Sequence, residues 1–157
     1  MNIKLLAIGK TDQNHLQTLI DDYAKRLSHY IKFDLEVIPD IKNVKNLSEQ
    51  QQKEKEGELI LTKIGSSDQM VLLDENGKSF SSVEFSTELQ KKMNSGIKTL
   101  VFVIGGPYGF SEAVYQQAQG KISLSKMTFS HQMVRLFFVE QLYRGFTILR
   151  NEPYHHQ

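Results

Sequence analysis

The chain of 157 residues contains no cysteine, which excludes disulfides, thiolate metal ligands and thiol nucleophiles. Long apolar runs are missing as well. The apolar runs at residues 5–8, 100–104 and 136–139 are far shorter than the roughly 18 residues that span a bilayer. The amino terminus also lacks the pattern of a cleavable signal peptide. These absences predict a soluble, cytoplasmic protein that has no membrane partner.

An excess of charge of either sign is also lacking. The chain has 19 basic and 18 acidic residues, so it has no strong electrostatic footprint for free nucleic acid, and we predict no DNA partner. RNA stays open, because a neutral average is compatible with basic groups gathered at one cleft or with a substrate presented by a larger particle. The length fits a single domain, residues 1–157.

Hydrophobic periodicity predicts strands that alternate with helices. The predicted strands are residues 3–8, 33–37, 70–73, 100–104 and 122–129. Such alternation is typical of an α/β protein with a mostly parallel sheet flanked by helices. The helix starts are predicted from side chains that cap them, namely Asp12, Ser48 with Gln51, Ser82 and Ser111. An Asn76-Gly77 turn is predicted to close the third strand, and Gly120 to end the helix that Ser111 opens.

The glycine-rich loop at residues 105–109 follows a buried strand, as loops that approach a ligand do. A dinucleotide fingerprint would need glycine in the third position, where Pro107 stands. It would also need an acid about 20 residues further on, and residues 113–139 contain none. The loop therefore lacks both features of an NAD site, and a purely structural turn stays open.

Residues 123–129 interrupt an apolar stretch with serine, threonine and lysine. Such a segment could wrap an uncharged aromatic base, with main-chain groups reading its edge and apolar side chains covering its faces. A solvent-exposed edge strand is the other interpretation, and the spacing does not decide between them.

The last helix and the tail after it allow two interpretations each. The apolar side of the helix is broader than one core needs, which favours burial against a second subunit. On the same helix, Glu140 and Arg144 have the spacing of a surface ion pair. The tail at residues 154–156 has the composition of a frayed terminus. The five histidines show no metal-ligand spacing, so no metal site is predicted.

Eight segments together resemble the RlmH family of large-subunit ribosomal RNA pseudouridine N3 methyltransferases, which belong to the SPOUT class. The resemblance covers the whole chain and rests on IKLLAIGK, KEGELIL, VLLDENGK, VFVIGGPYG, ISLSKMTF, HQMVR, EQLYR and NEPYHH, in this order. It implies a deep trefoil knot in the carboxyl-terminal half of the chain. It also implies N3 methylation of a pseudouridine in 23S rRNA on the assembled ribosome.

The resemblance further implies S-adenosylmethionine as methyl donor. The residues it assigns to the cofactor are Leu73, Gly105, Leu124, Ser125, Lys126, Met127, Thr128 and Phe129. It implies a homodimer in which the cofactor of one subunit faces the partner's tail. Two other functions remain open, namely a nucleotide-binding α/β enzyme and a noncatalytic ribosome-associated module.

Three residues are candidates for the chemistry. We expect Arg144 to hold the carbonyls of the target base or an RNA phosphate, and to stabilise the negative charge that develops as the N3 proton leaves. His155 is the candidate base, since an imidazole titrates near neutrality. Tyr154 is expected to stack on the target base or to orient it.

Overall fold

Strands and helices alternate along the chain, which confirms the predicted α/β class. The computed structural model describes residues 1–156, and Gln157, the last residue of the predicted domain, lies outside the described residues. The strands are β1 (Asn2–Ile8), β2 (Lys32–Ile38), β3 (Gln69–Ser79), β4 (Thr99–Ile104) and β5 (Gly120–Ser123). The helices are α1 (Asn14–Leu27), α2 (Glu49–Thr62), α3 (Ser82–Asn94), α4 (Glu112–Gln117) and α5 (His131–Leu149), with a 3-10 turn at Val44–Asn46.

All strand pairs in the sheet are parallel, and the strand order is β2-β1-β4-β3-β5. The apolar run of residues 100–104 makes up most of the central strand, β4, and each of these five residues is at most 3% exposed. A parallel strand buried on both faces needs such a continuous apolar run, so β4 lies where its sequence predicts.

Two hydrophobic cores lie on opposite faces of this sheet. On one face, α1, α3 and α5 contribute Leu27, Phe85, Phe138 and Leu142. On the other face, α2 and α4 contribute Ile60 and Val114. Among residues 1–156, no helix combines the length and the apolar character that crossing a membrane requires.

Serine side chains begin most of the helices. Ser48 forms the predicted capping box with Gln51, and Ser111 accepts a hydrogen bond from the N–H of Val114. The cap of α3 is Ser81 rather than the predicted Ser82, because only Ser81 has a glutamate three residues later to complete a capping box. The predicted Asp12 cap is wrong. Helix α1 begins after Gln13 without a side-chain cap, and the N–H of Asp12 donates to Gln132 Oε1 at 3.0 Å.

Two predicted boundaries around β5 are also wrong. Helix α4 ends at Gln117 rather than at Gly120, because the chain turns extended at Ala118 and the N–H of Gln119 donates to the Met70 carbonyl at 2.8 Å. Strand β5 then ends at Ser123, and residues 124–130 form a loop instead of the predicted longer strand. The hydroxyl-rich segment is therefore a connection at the carboxyl end of the sheet.

The Asn76-Gly77 sequence does not form the predicted turn. Strand β3 continues to Ser79, and its pairing with β5 shifts register between Leu73 and Lys78. Residues 74–77 are thus a bulge within the strand, a feature that often re-aims side chains beside a functional site. Glycine is required here because a Cβ at Gly77 would lie 2.6 Å from the backbone N and C of Ile122.

Candidate functional site

A cleft of about 490 Å³ lies at the carboxyl ends of β3, β4 and β5. Ligands of open parallel sheets bind outside these strand ends. Three segments form its walls, namely the loop after β4, the loop after β5 and the bulge of β3. All the residues that the family resemblance assigns to the cofactor line this cleft except Lys126, which is exposed and not among the lining residues.

The loop after β4 forms the first wall. Gly105 and Gly106 are buried, and Gly109 has a positive φ of 82° that favours glycine. The N–H of Gly109 donates to the Gly106 carbonyl at 3.2 Å, which closes the turn. Phe110 packs under Gly105, where a Cβ would lie 3.1 Å from the ring. The backbone can therefore approach a ligand closely at Gly105.

A buried carboxyl group supports this loop from behind. Glu56 of α2 is 3% exposed, and its Oε1 has no hydrogen-bond partner among the described residues. A Cβ at Gly106 would lie 2.2 Å from Glu56 Oε2, so glycine is needed for the loop to pass this side chain. Burial, and then the nearby charge of Asp40, raise the pKa of Glu56.

The Glu56→Gln variant should therefore gain stability relative to the wild type as the pH rises. The folded state holds the Glu56 proton more tightly than the unfolded state, so the wild type loses stability above the carboxyl's ordinary pKa and up to its raised folded-state pKa. The uncharged amide carries no such penalty. Urea unfolding from acidic to alkaline pH measures the difference, with Glu58→Gln as the exposed control on the same helix. A difference that does not change with pH would contradict the expected titration.

The loop after β5 forms the second wall. The Ser123 hydroxyl donates to the Ser125 carbonyl at 2.9 Å, and the N–H of Met127 donates to Ser125 Oγ at 3.0 Å. Ser130 then caps α5 by accepting from the N–H of Met133. The serines thus fold the loop onto itself, while Met127 stays 74% exposed.

The bulge of β3 and the facing Tyr115 of α4 form the third wall. Asp74 and Glu75 line the cleft, whereas no lysine or arginine is among its lining residues within 1–156. The one histidine there is His131, and desolvation and the charge of Arg135 lower its pKa, which favours the neutral form. The wall of the cleft is therefore negatively charged at neutral pH.

A second polar cluster lies at the far end of α5. It consists of Glu140, Arg144, Tyr154 and His155. Arg144 donates to Glu140 Oε1 from Nη2 at 2.6 Å and from Nε at 3.1 Å, and Tyr154 donates to the same oxygen at 2.9 Å. The guanidinium lies 4.7 Å from the centre of the Tyr154 ring and 3.2 Å from His155 Nδ1. The three residues proposed for the chemistry are thus in contact with one another.

The tail is packed against the protein, so the frayed-terminus interpretation is wrong. Tyr154 packs edge-on against the Tyr143 ring at 4.7 Å, and its hydroxyl lies 3.2 Å from that of Tyr23. Glu152 accepts a hydrogen bond from Tyr30, and its N–H donates to the Thr147 carbonyl at 2.9 Å. Aromatic residues of α1 and α5 therefore position the tail.

The environment of the cluster fixes its proton donors. Burial and hydrogen bonds with Tyr23 and Glu140 raise the pKa of Tyr154, so its hydroxyl remains a donor. Burial opposes the charge of Arg144, but the hydrogen bond and charge of Glu140 outweigh it and raise the pKa of Arg144. Because a guanidinium can only donate, His155 Nδ1 must be the acceptor of their contact.

Known proteins are similar to this chain over nearly its whole length. The family model described as "Predicted SPOUT methyltransferase" matches residues 1–155. The chain is 83% identical to the ribosomal RNA large subunit methyltransferase H of Flavobacterium johnsoniae and 82% identical to that of Flavobacterium psychrophilum. It is 69% identical to the protein of the same name from Christiangramia forsetii, and each comparison covers 100% of both chains.

The chain belongs to the SPOUT methyltransferase family. Membership implies the trefoil knot that the sequence predicts for the carboxyl-terminal half. The strand order is consistent with a chain that crosses itself there, because β5 pairs with β3 rather than with the preceding strand β4.

The sequence of this SPOUT protein does not by itself indicate that Asp74 and Tyr115 line the cleft. The signal for Asp74 is its position directly after the apolar run at residues 70–73, but the Asn76-Gly77 pair predicts a turn that closes the strand there. The sequence spacing indicates Glu140 only as one partner of a surface ion pair. The ion pair with Arg144 is present, but Glu140 also accepts from Tyr154, which lies too far along the sequence for spacing to indicate it.

Proposed function

We propose that this chain methylates N3 of a pseudouridine in 23S ribosomal RNA, with S-adenosylmethionine as methyl donor, in the cytoplasm and on the assembled ribosome. Family membership and the names of the relatives support methyl transfer to large-subunit ribosomal RNA. The choice of pseudouridine N3 and of the ribosome rests on the resemblance of the whole chain, carried by the eight segments, to the RlmH family.

The negatively charged cleft is the observation that carries the cofactor assignment. S-adenosylmethionine is a cation overall, and its adenosine and methionine moieties need close backbone approach and apolar cover. The cleft supplies Gly105 for the approach, Leu73 and Leu124 for the cover, and Asp74 and Glu75 for the charge. The phosphate groups of NAD or ATP would instead face two carboxylates without a basic partner. These features favour the methyl donor over the nucleotide alternative.

The separation of the two sites supports a homodimer. Val134 lines the cleft, and Arg144 belongs to the tail cluster. Both lie on α5, ten residues apart, which corresponds to about 15 Å along the helix axis. One subunit alone therefore does not bring its tail to its own cleft. Met127, Met133 and Phe137 are 74%, 38% and 40% exposed around the cleft and on α5, as expected of a surface that a second subunit covers. The partner's tail would then complete each site.

In this mechanism the bound cofactor supplies an electrophilic methyl group on a positively charged sulfur. The N3 lone pair of the pseudouridine forms the new C–N bond, the C–S electron pair stays on sulfur, and the N3 proton leaves to a base. Arg144 donates to the base carbonyls as negative charge develops, while Glu140 fixes the guanidinium plane. Tyr154 stacks beside the guanidinium and orients the base.

His155 accepts the proton at Nδ1. Because Arg144 donates to this nitrogen, Nδ1 is the position without hydrogen in the neutral ring. When Nη1 of Arg144 donates to the base carbonyls instead of to His155, Nδ1 becomes free to take up the N3 proton. The contact thus holds His155 in the tautomer that a general base requires.

Labelled S-adenosylmethionine tests this function directly. The purified protein is incubated with ribosomes that lack the modification, with separate subunits and with free rRNA, and the labelled nucleotide is mapped. We expect one methyl group on N3 of one 23S pseudouridine, with assembled ribosomes as the best substrate. Absence of label from all three substrates would overturn the proposal, and label at another position would overturn the assignment to N3.

Two inactive variants should restore activity when they form mixed dimers. Thr128→Arg fills the cleft with a long cationic side chain, and deletion of residues 154–157 removes the tail. In a mixed dimer, one site combines an intact cleft with an intact tail, so methylation should reappear. Labelled methyl transfer by co-expressed, co-purified variants measures this, and each variant alone is the control. No recovery in verified mixed dimers would contradict a site shared between subunits.

A further inference from the structure

We infer that Asp74, held by Tyr115, is the residue by which the cleft distinguishes the cationic methyl donor from the neutral product. This inference rests on the proposed function and adds to it a basis for cofactor selection. Methyl transfer converts the sulfonium of S-adenosylmethionine into the uncharged thioether of S-adenosylhomocysteine. The two molecules differ by one methyl group and one positive charge, so a site that separates them must respond to that charge.

The bulge of β3 places Asp74 at the cleft. Leu73 is the last residue that pairs with β4, and the register of β3 against β5 shifts directly after it. A regular strand would turn successive side chains to opposite faces of the sheet and continue the ladder. The bulge instead sets Asp74, Glu75 and Asn76 together on the cleft wall.

Two hydrogen bonds orient the Asp74 carboxylate. Its Oδ1 accepts from the N–H of Asn76 at 2.8 Å, and its Oδ2 accepts from the hydroxyl of Tyr115. A carboxylate has about four acceptor positions, so both oxygens retain capacity for a further partner. Asp74 is half-buried and has no basic side chain as hydrogen-bond or ion-pair partner among residues 1–156. Its negative charge is therefore available to a ligand.

The surroundings of Tyr115 fix its ring and keep its hydroxyl protonated beside the Asp74 carboxylate. Its ring packs edge-on against Phe110 at 5.8 Å, and the Lys121 ammonium lies 5.4 Å from the ring centre. Burial and the hydrogen bond to Asp74 raise the pKa of Tyr115, so the phenol keeps its proton and remains a donor. An ionised phenol would repel the carboxylate, whereas the protonated one fixes it.

The other charged residues of the cleft also favour a cationic ligand. Glu75 adds a second negative charge, and no lysine or arginine of residues 1–156 lines the cleft to neutralise either of them. Asp74 is singled out because Tyr115 and Asn76 restrict its position, whereas no described contact restricts the side chain of Glu75. A fixed charge discriminates between ligands better than a mobile one, since it costs less ordering on binding.

Calorimetry with the Asp74→Asn variant tests the inference. Binding of S-adenosylmethionine and of S-adenosylhomocysteine is measured for the full-length wild type and the variant, and selectivity is the ratio of the two dissociation constants. We expect Asp74→Asn to reduce this ratio by about tenfold, with most of the loss in affinity for the cationic ligand. Tyr115→Phe retains the Asp74 carboxylate but removes the hydroxyl that orients it, and should reduce the ratio by a smaller factor.

A charge control and two further ligands make the outcomes distinct. Glu112→Gln removes the same charge one turn before Tyr115 but outside the cleft, and should leave the ratio unchanged. Sinefungin, which carries an amine in place of the sulfonium, should lose affinity for Asp74→Asn as S-adenosylmethionine does. Methylthioadenosine lacks both the sulfonium and the amino-acid charge, and should lose none.

Three results would overturn the inference. Equal losses for S-adenosylmethionine and S-adenosylhomocysteine would show that Asp74 contacts the amino group that both share. Equal losses for methylthioadenosine as well would show a contact to the ribose or a structural role. If Asp74→Asn does not fold, the Tyr115→Phe variant is the test. An unchanged ratio of the two dissociation constants in folded Tyr115→Phe would also overturn the inference. A wild type that binds neither ligand would instead overturn the proposed function itself, and the inference with it.

Discussion

Replacing Arg144 by alanine should lower the rate of ribosome methylation by about 100-fold to 1000-fold, the loss typical when one donor that stabilises developing negative charge is removed. The Arg144 guanidinium contacts Glu140, Tyr154 and His155. In the proposed mechanism the variant would therefore lose the donor to the base carbonyls and the partner that fixes the tautomer of His155. Initial rates of labelled methyl transfer at saturating cofactor measure the effect.

The affinity for S-adenosylmethionine should change little in the same variant, because Arg144 does not line the cleft and its proposed role is to bind the target base. Arg150→Ala is the matched control. Arg150 follows the same helix and stacks on the Tyr30 ring at 4.9 Å, but it contacts no member of the tail cluster. Near-normal turnover by Arg144→Ala would remove this residue from the mechanism. A parallel fall in both variants would indicate a general loss of the tail structure.

Replacing Gly77 by alanine should lower the free energy of unfolding by about 2–3 kcal/mol, at the upper end of what overpacking costs. The added Cβ would lie 2.6 Å from the backbone N and C of Ile122. Backbone atoms of a neighbouring strand cannot rotate away, so β3 and β5 must separate. Urea unfolding at a fixed protein concentration gives the change, and calorimetry should show weaker cofactor binding, since both strands lead into the cleft.

Gly120→Ala provides the comparison within the same pair of strands. A Cβ at Gly120 has no heavy atom within 4 Å, and its backbone does not have a positive φ. The substitution should therefore leave stability close to that of the wild type. Equal stability of the Gly77 and Gly120 variants would show that the β3–β5 contact is not as close as the bulge requires.

The features that sequence predicts well here are local ones. The apolar run of residues 100–104 has one favourable environment, a parallel strand buried on both faces, and it lies there. The capping box of Ser48 and Gln51 depends only on residues three apart. The Asn76-Gly77 pair shows the limit of such reasoning. In most contexts it favours a turn, but the closeness of Ile122, a long-range contact, converts it into a bulge.

The candidate site also contains some residues that the sequence predicts and others that only the fold brings together. The cofactor segments were predicted from their resemblance to a known family, and all of them but Lys126 line one cleft. Asp74 and Tyr115 were missed because 40 residues of chain separate them and only the fold brings them into contact. Arg144, Tyr154 and His155 lie together as a cluster because the chain after α5 folds back onto the helix, a contact that depends on aromatic packing and not on local spacing.

The position of β4 in the sheet has a kinetic consequence. Asn2 of β1 pairs locally with Lys32 of β2 but also with Thr99 of β4, so the middle of the sheet closes only when distant parts of the chain meet. Loop closure of this length is costly before its contacts form, and domains built from such pairings fold slowly. The unit of β1, α1 and β2 is able to form early in synthesis, with its edge exposed. Until β4 is made, that edge is open to pairing with other strands, so we expect aggregation to compete with folding mainly before β4 is synthesised.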